Sequence, residues 1–351
     1  MKGSPLRASV IIRTRDEAPR LRLTLASLAA QSAPLEVVVV NDGSRDDTAA
    51  VIAAAPCANL VAVHHANSMG RAASSNDGAS RAAGDILIFL DGDTLAGPDF
   101  VARHLDAHAN GAGVVARGET YHLRQTRLFA DPQTGSPMPG EEARVAALSS
   151  AERDRTVVTL EKIAGDFGAI AGMAAPGIYP GAGPRRLYEL EMAALRDEPN
   201  CDVLWAAASG ANQSVPKSVF TQVGGFHAAI TINAHREVAL RLCRAGLKMT
   251  PAEGAFSYHM THRKGWRDPL EETGWEALFY AAHPIPEVPL LSVLWATLAD
   301  DDRIAPHARI FSIPELSRAA RRCQGVVGAD AVRAAHFAAS LGVTQHQMVQ
   351  G

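Results

Sequence analysis

Two carboxylates one residue apart close an apolar run in the stretch DILIFLDGDT, residues 85–94. Asp91 and Asp93 in that arrangement suit a hard divalent cation held by oxygen ligands. Mg2+ or Mn2+ would keep part of its water shell there and gather diphosphate oxygens. Gly92 between them keeps the turn narrow enough for the backbone to approach a ligand. An isolated Asp-Gly-Asp is otherwise an ordinary turn, because both residue types favour turns. The context reverses that reading. Three other apolar runs end in the same manner: one in RTRDE, Arg13 to Glu17; one in NDGSRDDT, Asn41 to Thr48; one in HHANSMGR, His64 to Arg71.

Those polar ends need elements that deliver them to one place. The runs at 8–13, 36–40, 59–63 and 85–90 are short, continuous and rich in Val, Ile and Leu. Between them lie segments with helical character, 16–31, 45–55 and 69–83, the first with Leu21, Leu25 and Leu28 at helical spacing. Asp46 or Ser44 is placed to cap the second. Buried strands alternating with helices predict an α/β protein with a mostly parallel sheet covered on both faces. In such sheets ligands bind beyond the carboxyl ends of the strands. Four strands delivering charge to that edge therefore predict one polar crevice.

Competing chemistries lack their signatures. A dinucleotide fold wants G-x-G-x-x-G after its first strand, but IIRTRDEAP has no glycine. The phosphate-binding G-x-x-x-x-G-K-[ST] is absent, as is a glycine-rich basic loop suited to nucleotidyl transfer. A net charge of −3 gives no reason to expect nucleic acid or an anionic membrane as partner. The four cysteines, Cys57, Cys201, Cys243 and Cys323, show neither metal nor redox spacing and read as reduced thiols. No apolar stretch has the length of a membrane span or a signal peptide, so the expected setting is cytoplasmic.

Further motifs follow in order: SGANQSVPKSVFTQVGGF, HREVALRLCRAG and YHMTHRKGW. With SVIIRTRDEAPRLRLTLASLAAQ, VVVVNDGSRDDT and NSMGRAASSNDGASRAAGDILIFLDGDT they cover 8–110 and 205–267. The series resembles an inverting family 2 glycosyltransferase with the GT-A fold, a Rossmann-like sheet flanked by helices. The resemblance implies a nucleotide-diphosphate sugar donor, most often a UDP-sugar, and Mn2+ or Mg2+. It implies that Thr14, Arg15 and Glu17 lie near the nucleotide and that Asp42 recognises the base. Asn67, Arg71 and Asn76 would position ribose or phosphates, although Ser75 stands where the family often has Arg. Asp91, Gly92 and Asp93 would hold metal and diphosphate, completed by His259 or its rival His262. Gly210 and Asn212 would line the donor sugar, with Trp205 and Trp266 as candidates to stack on it.

The catalytic base is where the chain departs from the pattern. The resemblance leads one to expect Glu-Asp at the head of a helix, where Ala234-His235-Arg236-Glu237 stands. His235 suits general-base work by its near-neutral pKa; Glu237 is the alternative, or else pairs with Arg241 one turn on. Glu119 is a third carboxylate. Asn233 and Gly246 read as the ends of this helix. The organisation expected is a nucleotide-binding half at 1–111, a variable acceptor-shaping insertion at 112–200 with a helix near 151–165, a catalytic half at 201–285 and a helical region at 286–351. The acceptor, a small metabolite, a peptide or a glycan, stays open. A nucleotide-sugar-binding protein without turnover is the alternative to an enzyme.

Overall fold

The computed structural model describes residues 6–109, 113–176, 187–262, 270–299 and 304–341. The first third alternates as its pattern predicts: β1 (Ala8–Thr14), α1 (Ala18–Ala29), β2 (Leu35–Asp42), α2 (Thr48–Ala53), β3 (Leu60–His65), α3 (Arg71–Arg81) and β4 (Ile86–Asp91). A short β5 (Thr94–Ala96), α4 (Phe100–His108) and a long β6 (Val114–Leu123) follow. Residues 124–176 form two small strands, β7 (Phe129–Asp131) and β8 (Ser136–Pro137), four short helices, α5 (Glu142–Ala146), α6 (Ser150–Thr156), α7 (Leu160–Gly165) and α8 (Phe167–Ala171), and β9 (Ala175–Pro176). Then come α9 (Leu187–Asp197), β10 (Gln213–Pro216), α10 (Lys217–Gln222), α11 (Ala234–Arg244) and β11 (Lys248–Met260). Helices α12 (Gly274–Ala282), α13 (Glu287–Leu298), α14 (Ile313–Arg322) and α15 (Ala329–Ser340) complete the chain.

The main sheet runs β3-β2-β1-β4-β10-β6-β11-β5, with β9 added beside β6. Strands β1 to β4 are mutually parallel, and so are β6 and β11. Side chains alternate across it. Val10, Ile12, Val37, Val39, Ile86 and Ile88 pack toward one face, where Leu21, Leu25 and Leu28 of α1 cover them. Ile11, Val38, Leu87 and Phe89 pack into the opposite core with the C-terminal helices. Each such side chain, fully buried, contributes about 1.5–3 kcal/mol, so both faces of the first four strands are secured.

The register matters most for function. Thr14 lies opposite Asn41, Arg13 opposite Asp91, and Asp42 opposite His65. All four polar strand ends therefore meet at one edge. On the other side of the sheet, β11 places His259 opposite His122 of β6 and opposite Thr94 of β5.

Two details depart from the sequence reading. The single helix expected near 151–165 is two, because Val157 and Val158 are buried in extended conformation. The Val158 N–H donates to Pro132 C=O, and the Thr159 hydroxyl starts α7 by accepting from Lys162 N–H. The segment 112–200 also supplies β6, a central strand, and α9, whose Glu191 lies deep in the molecule. Among the described residues no helix is long and apolar enough to cross a membrane.

Candidate active site

A cleft of about 530 Å³ opens at the strand-end edge. Thr14, Arg15, Glu17, Asp42, Arg71, Asp91, Gly92 and Asp93 line it from the first four strands, and His259 and His262 from β11 and the residues just beyond it. Gly210 and His235 line it from the helical side.

The two aspartates that open the sequence argument have different partners. Asp91 Oδ1 accepts from Arg13 Nη2 at 2.5 Å. Asp93 is buried, and its Oδ2 sits 3.2 Å from His259 Nε2 and 2.7 Å from His262 Nε2. One atom from each of these three residues falls within 4.8 Å of the others. Burial pushes Asp93 up, but the two imidazoles outweigh it and hold the carboxylate well below its usual range. For His259, burial works downward and Asp93 outweighs it, raising the ring. Behind it, His122 is pushed down to about 3 by burial, which keeps that imidazole neutral. A carboxylate oxygen and two imidazole nitrogens converging in this way form a donor set that fits a divalent metal with mixed O/N preference. His259 and its rival His262 both belong to this set; Asp91 is held aside by Arg13.

Gly92 has a steric reason beyond slimness: a Cβ there would meet Thr14 Oγ1 at 2.8 Å and Glu17 Oε2 at 3.2 Å. Thr14 Oγ1 is buried without a hydrogen-bond partner, so a cleft ligand has a hydroxyl to engage. Glu17 is pushed well up by burial, then by Asp93 and Asp91, which favours its neutral form.

Asp42 sits in a clip. Its oxygens accept from His65 Nδ1 at 2.9 Å, Ser68 Oγ at 2.7 Å, Met69 N at 2.7 Å and Gly70 N at 3.0 Å. Burial raises this carboxyl, but the hydrogen bonds, led by His65, outweigh it and hold it far below the ordinary range. His65 bridges onward to Asp77 at 3.1 Å. A base-recognising role for Asp42 therefore requires a donor in this clip to yield. Asp46 accepts from Thr48 N and from Ala18 N, tying the starts of α1 and α2 together.

Six described residues that the sequence offered for ligand contact or catalysis do not line the cleft. Asn76 clamps the Phe226 backbone, with both bonds at 2.8 Å. Asn67 is exposed on the loop after β3 and does not line the cleft. Asn212 is wholly buried, and its amide serves Ala255 C=O, Ser257 Oγ and Glu119 C=O while His104 engages its Oδ1. Glu237 is buried behind the cleft, gripped by Arg241 at 2.7 and 2.6 Å and by His283 at 2.9 Å. It is the helix-pairing alternative that geometry supports. Glu119 pairs with Arg196 at 3.4 Å, away from the cleft. Trp205 is core, edge-on to Phe279; Trp266 lies outside the described residues.

His235 reaches the cleft, but its tautomer is set by a neighbour. Arg236 Nη1 lies 2.7 Å from His235 Nε2. Guanidinium only donates, so Nε2 accepts and the ring hydrogen is on Nδ1. Burial, then Arg236 and further arginines, push its pKa well down. The ring thus presents an N–H and not a proton-accepting lone pair. Residues that the sequence reading passed over are Arg13, His122, Arg236 and Trp295. The first was visible as a charge at a strand end; Trp295, on α13, had no local signal.

The fold and cleft define an α/β domain with a candidate metal centre at its strand-end edge. Residues 9–163 match the family model described as Glycosyl transferase family 2. It is 36% identical over 116 residues to "Uncharacterized glycosyltransferase YfnE" of Bacillus subtilis, covering 32% of this chain and 30% of that protein. It is 29% identical over 264 residues to a validoxylamine A glucosyltransferase of Streptomyces hygroscopicus subsp. jinggangensis, covering 73% of this chain and 56% of that one. The chain thus spans only part of these relatives' length. A mannosyltransferase from Pyrobaculum calidifontis, solved with GDP-Man and Mn2+, aligns over 97% of this chain and 77% of its own at 15% identity, with a TM-score of 0.49.

Proposed function

We propose that this chain transfers a sugar, with inversion, from a nucleoside-diphosphate donor, UDP-linked in the first instance, to an acceptor oxygen in the cleft. The observation that carries this reading is the convergence of Asp93, His259 and His262 at the edge where four parallel strands deliver their polar ends. A divalent metal bound by these three residues, Mn2+ or Mg2+, would supply positive charge for the diphosphate as the bond to the sugar breaks.

The chain's own residues do the rest. The buried Thr14 hydroxyl and the neutral-leaning Glu17 can hydrogen-bond the nucleotide; Arg15 and Arg71 add positive charge at the same edge. Arg13 neutralises Asp91 and so lowers the negative charge that an incoming diphosphate meets. Asp42 holds the loop 68–70 in place. Inversion requires one in-line displacement, in which the acceptor oxygen bonds to the anomeric carbon as the diphosphate leaves from the opposite side.

The test is incubation of the purified chain with a panel of UDP- and GDP-sugars and Mn2+, following release of free nucleoside diphosphate. Release from at least one donor, lost in Asp93→Asn, supports the reading. Binding of nucleotide sugar with no release under any acceptor condition would favour a binding protein instead.

A further inference from the structure

Helix α11 starts at the cleft, and the polar side chains that its start turns toward the cleft present donors. Asn233 precedes the helix with φ +65°, a left-handed conformation that asparagine tolerates. It does not cap the helix by its side chain. Instead Asn233 Oδ1 accepts from Arg236 Nη1 at 2.8 Å. The same Nη1 donates to His235 Nε2 at 2.7 Å. Two hydrogens on one guanidinium nitrogen therefore orient two side chains at once. Because arginine has no acceptor, Asn233 must turn its NH2 away from it, and His235 must carry its proton on Nδ1.

Both freed donors belong to cleft-lining residues. Asn233 is 3% exposed, and its Nδ2 is buried without a hydrogen-bond partner. His235 Nδ1 faces Gly210, where a Cβ would come within 3.3 Å of it. Trp295, 2% exposed and also lining the cleft, has a buried Nε1–H without a partner. Its ring lies under the Arg236 guanidinium, 5.0 Å away. Arg236 is fixed from the rear by Ala206 C=O and by Glu191, which it shares with Arg117. Two guanidinium groups on one carboxylate leave this corner electropositive. The partial positive charge of the helix N-terminus adds to it.

An unpartnered buried N–H costs free energy until something accepts from it. Amide, imidazole and indole donors at a helix start are the chemistry of an anion site. We infer that Asn233, His235 and Trp295 form a cradle for an anionic oxygen group, a phosphate or a carboxylate, carried by the acceptor. The inference rests on the glycosyl-transfer reading and sharpens its acceptor class. It also accounts for a donor standing where a base was expected. An ionised acceptor oxygen has no proton to remove. Its lone pair forms the bond to the anomeric carbon, the C–O bond to the diphosphate breaks, and that electron pair leaves with the nucleotide.

The test uses the full chain, 15N-labelled at histidine, with UDP and Mg2+ present, titrated with inorganic phosphate and, separately, with acetate. The His235 signals are assigned by their loss in His235→Gln. The expected result is a saturable shift of Nδ1 with one or both anions. Asn233→Asp keeps the bond to Arg236 but places negative charge where the NH2 was; it should weaken the response about tenfold or more, given the strength of hydrogen bonds to charged groups. Asn233→Gly, which suits the positive φ, should weaken it too and guards against a folding artefact. No shift with either anion overturns the inference. So does a shift caused by UDP alone that phosphate competes away, since the cradle would then hold the donor's diphosphate. UDP binding, measured separately by calorimetry, tests the glycosyl-transfer reading; its failure would sink that reading while His235 still reports on the anion site.

Discussion

The two sides of the cleft solve opposite electrostatic problems. At the strand ends, negative charge is concentrated and then answered: Asp91 by Arg13, Asp93 by His259 and His262, Asp42 by His65 and two backbone N–H groups. At the start of α11, Glu191 is spent on two arginines at the rear and Glu237 on Arg241 and His283, and the groups facing the cleft donate. On the proposed reading one side would hold a cation beside a nucleotide and the other would receive an oxygen. The difference teaches that the base position of a familiar pattern cannot be filled by residue type alone, because a neighbour decides whether an imidazole accepts or donates.

Breaking the strand-end side should have the largest effect. Asp93→Asn removes the charged member of the donor set. A bound metal supplies several kcal/mol to such a reaction, so transfer should fall roughly a thousandfold, read as nucleoside diphosphate release. On the other side, Glu237→Gln should act on stability. Removing one partner of a buried ion pair costs about 3 kcal/mol, seen as a lower urea midpoint. Donor turnover at temperatures where the variant is folded should stay near the wild-type rate; a loss of several hundredfold would restore Glu237 as a base. Asn76→Ala removes two hydrogen bonds to Phe226 and should cost about 2 kcal/mol of stability, with nucleotide affinity unchanged. His235→Gln keeps an N–H donor and should cost less than about tenfold in turnover, whereas loss of a general base costs on the order of 10²–10⁴.

The smallest effect is a pH dependence of the clip around Asp42. For His65, burial lowers the pKa, but hydrogen bonds to Asp42 and Asp77 outweigh it and raise the folded-state value. Its stabilisation is therefore full below the unfolded pKa, about 6.5, and is lost as pH rises through the raised value. Asp42 and Asp77 are depressed, so their contribution is present above about 3.9 and lost as pH falls. Wild type minus His65→Gln, compared by chemical denaturation, should show its largest gap between about pH 4 and 6.5 and a narrowing gap on the alkaline side.

Legibility followed range. The four strand ends were readable because β-branched runs fix the strands and parallel register carries their last residues to one edge. Thr14, Asp42 and Asp93 sit there for that reason. Asn76 and Asn212 have the residue type of a ligand contact, but α3 turns Asn76 onto Phe226, and the sheet encloses Asn212 beside His104. Asp91 could not be read as spent, since its partner Arg13 becomes its neighbour only through the β1–β4 register. The orientation of His235 and Asn233 depends on Arg236, whose own pose depends on Glu191, 45 residues earlier. Trp295 enters the cleft from α13, a helix whose pattern speaks only of burial.

The central claim is that Asp93, His259 and His262 form a metal centre. Electron paramagnetic resonance of Mn2+ added to the full chain with UDP reads this directly through coupling to ligand nitrogens. Coupling from two imidazoles, reduced to one in His262→Ala and abolished along with tight Mn2+ binding in Asp93→Asn, is the predicted result. Tight Mn2+ binding without imidazole nitrogen coupling, or binding unchanged by Asp93→Asn, would contradict it.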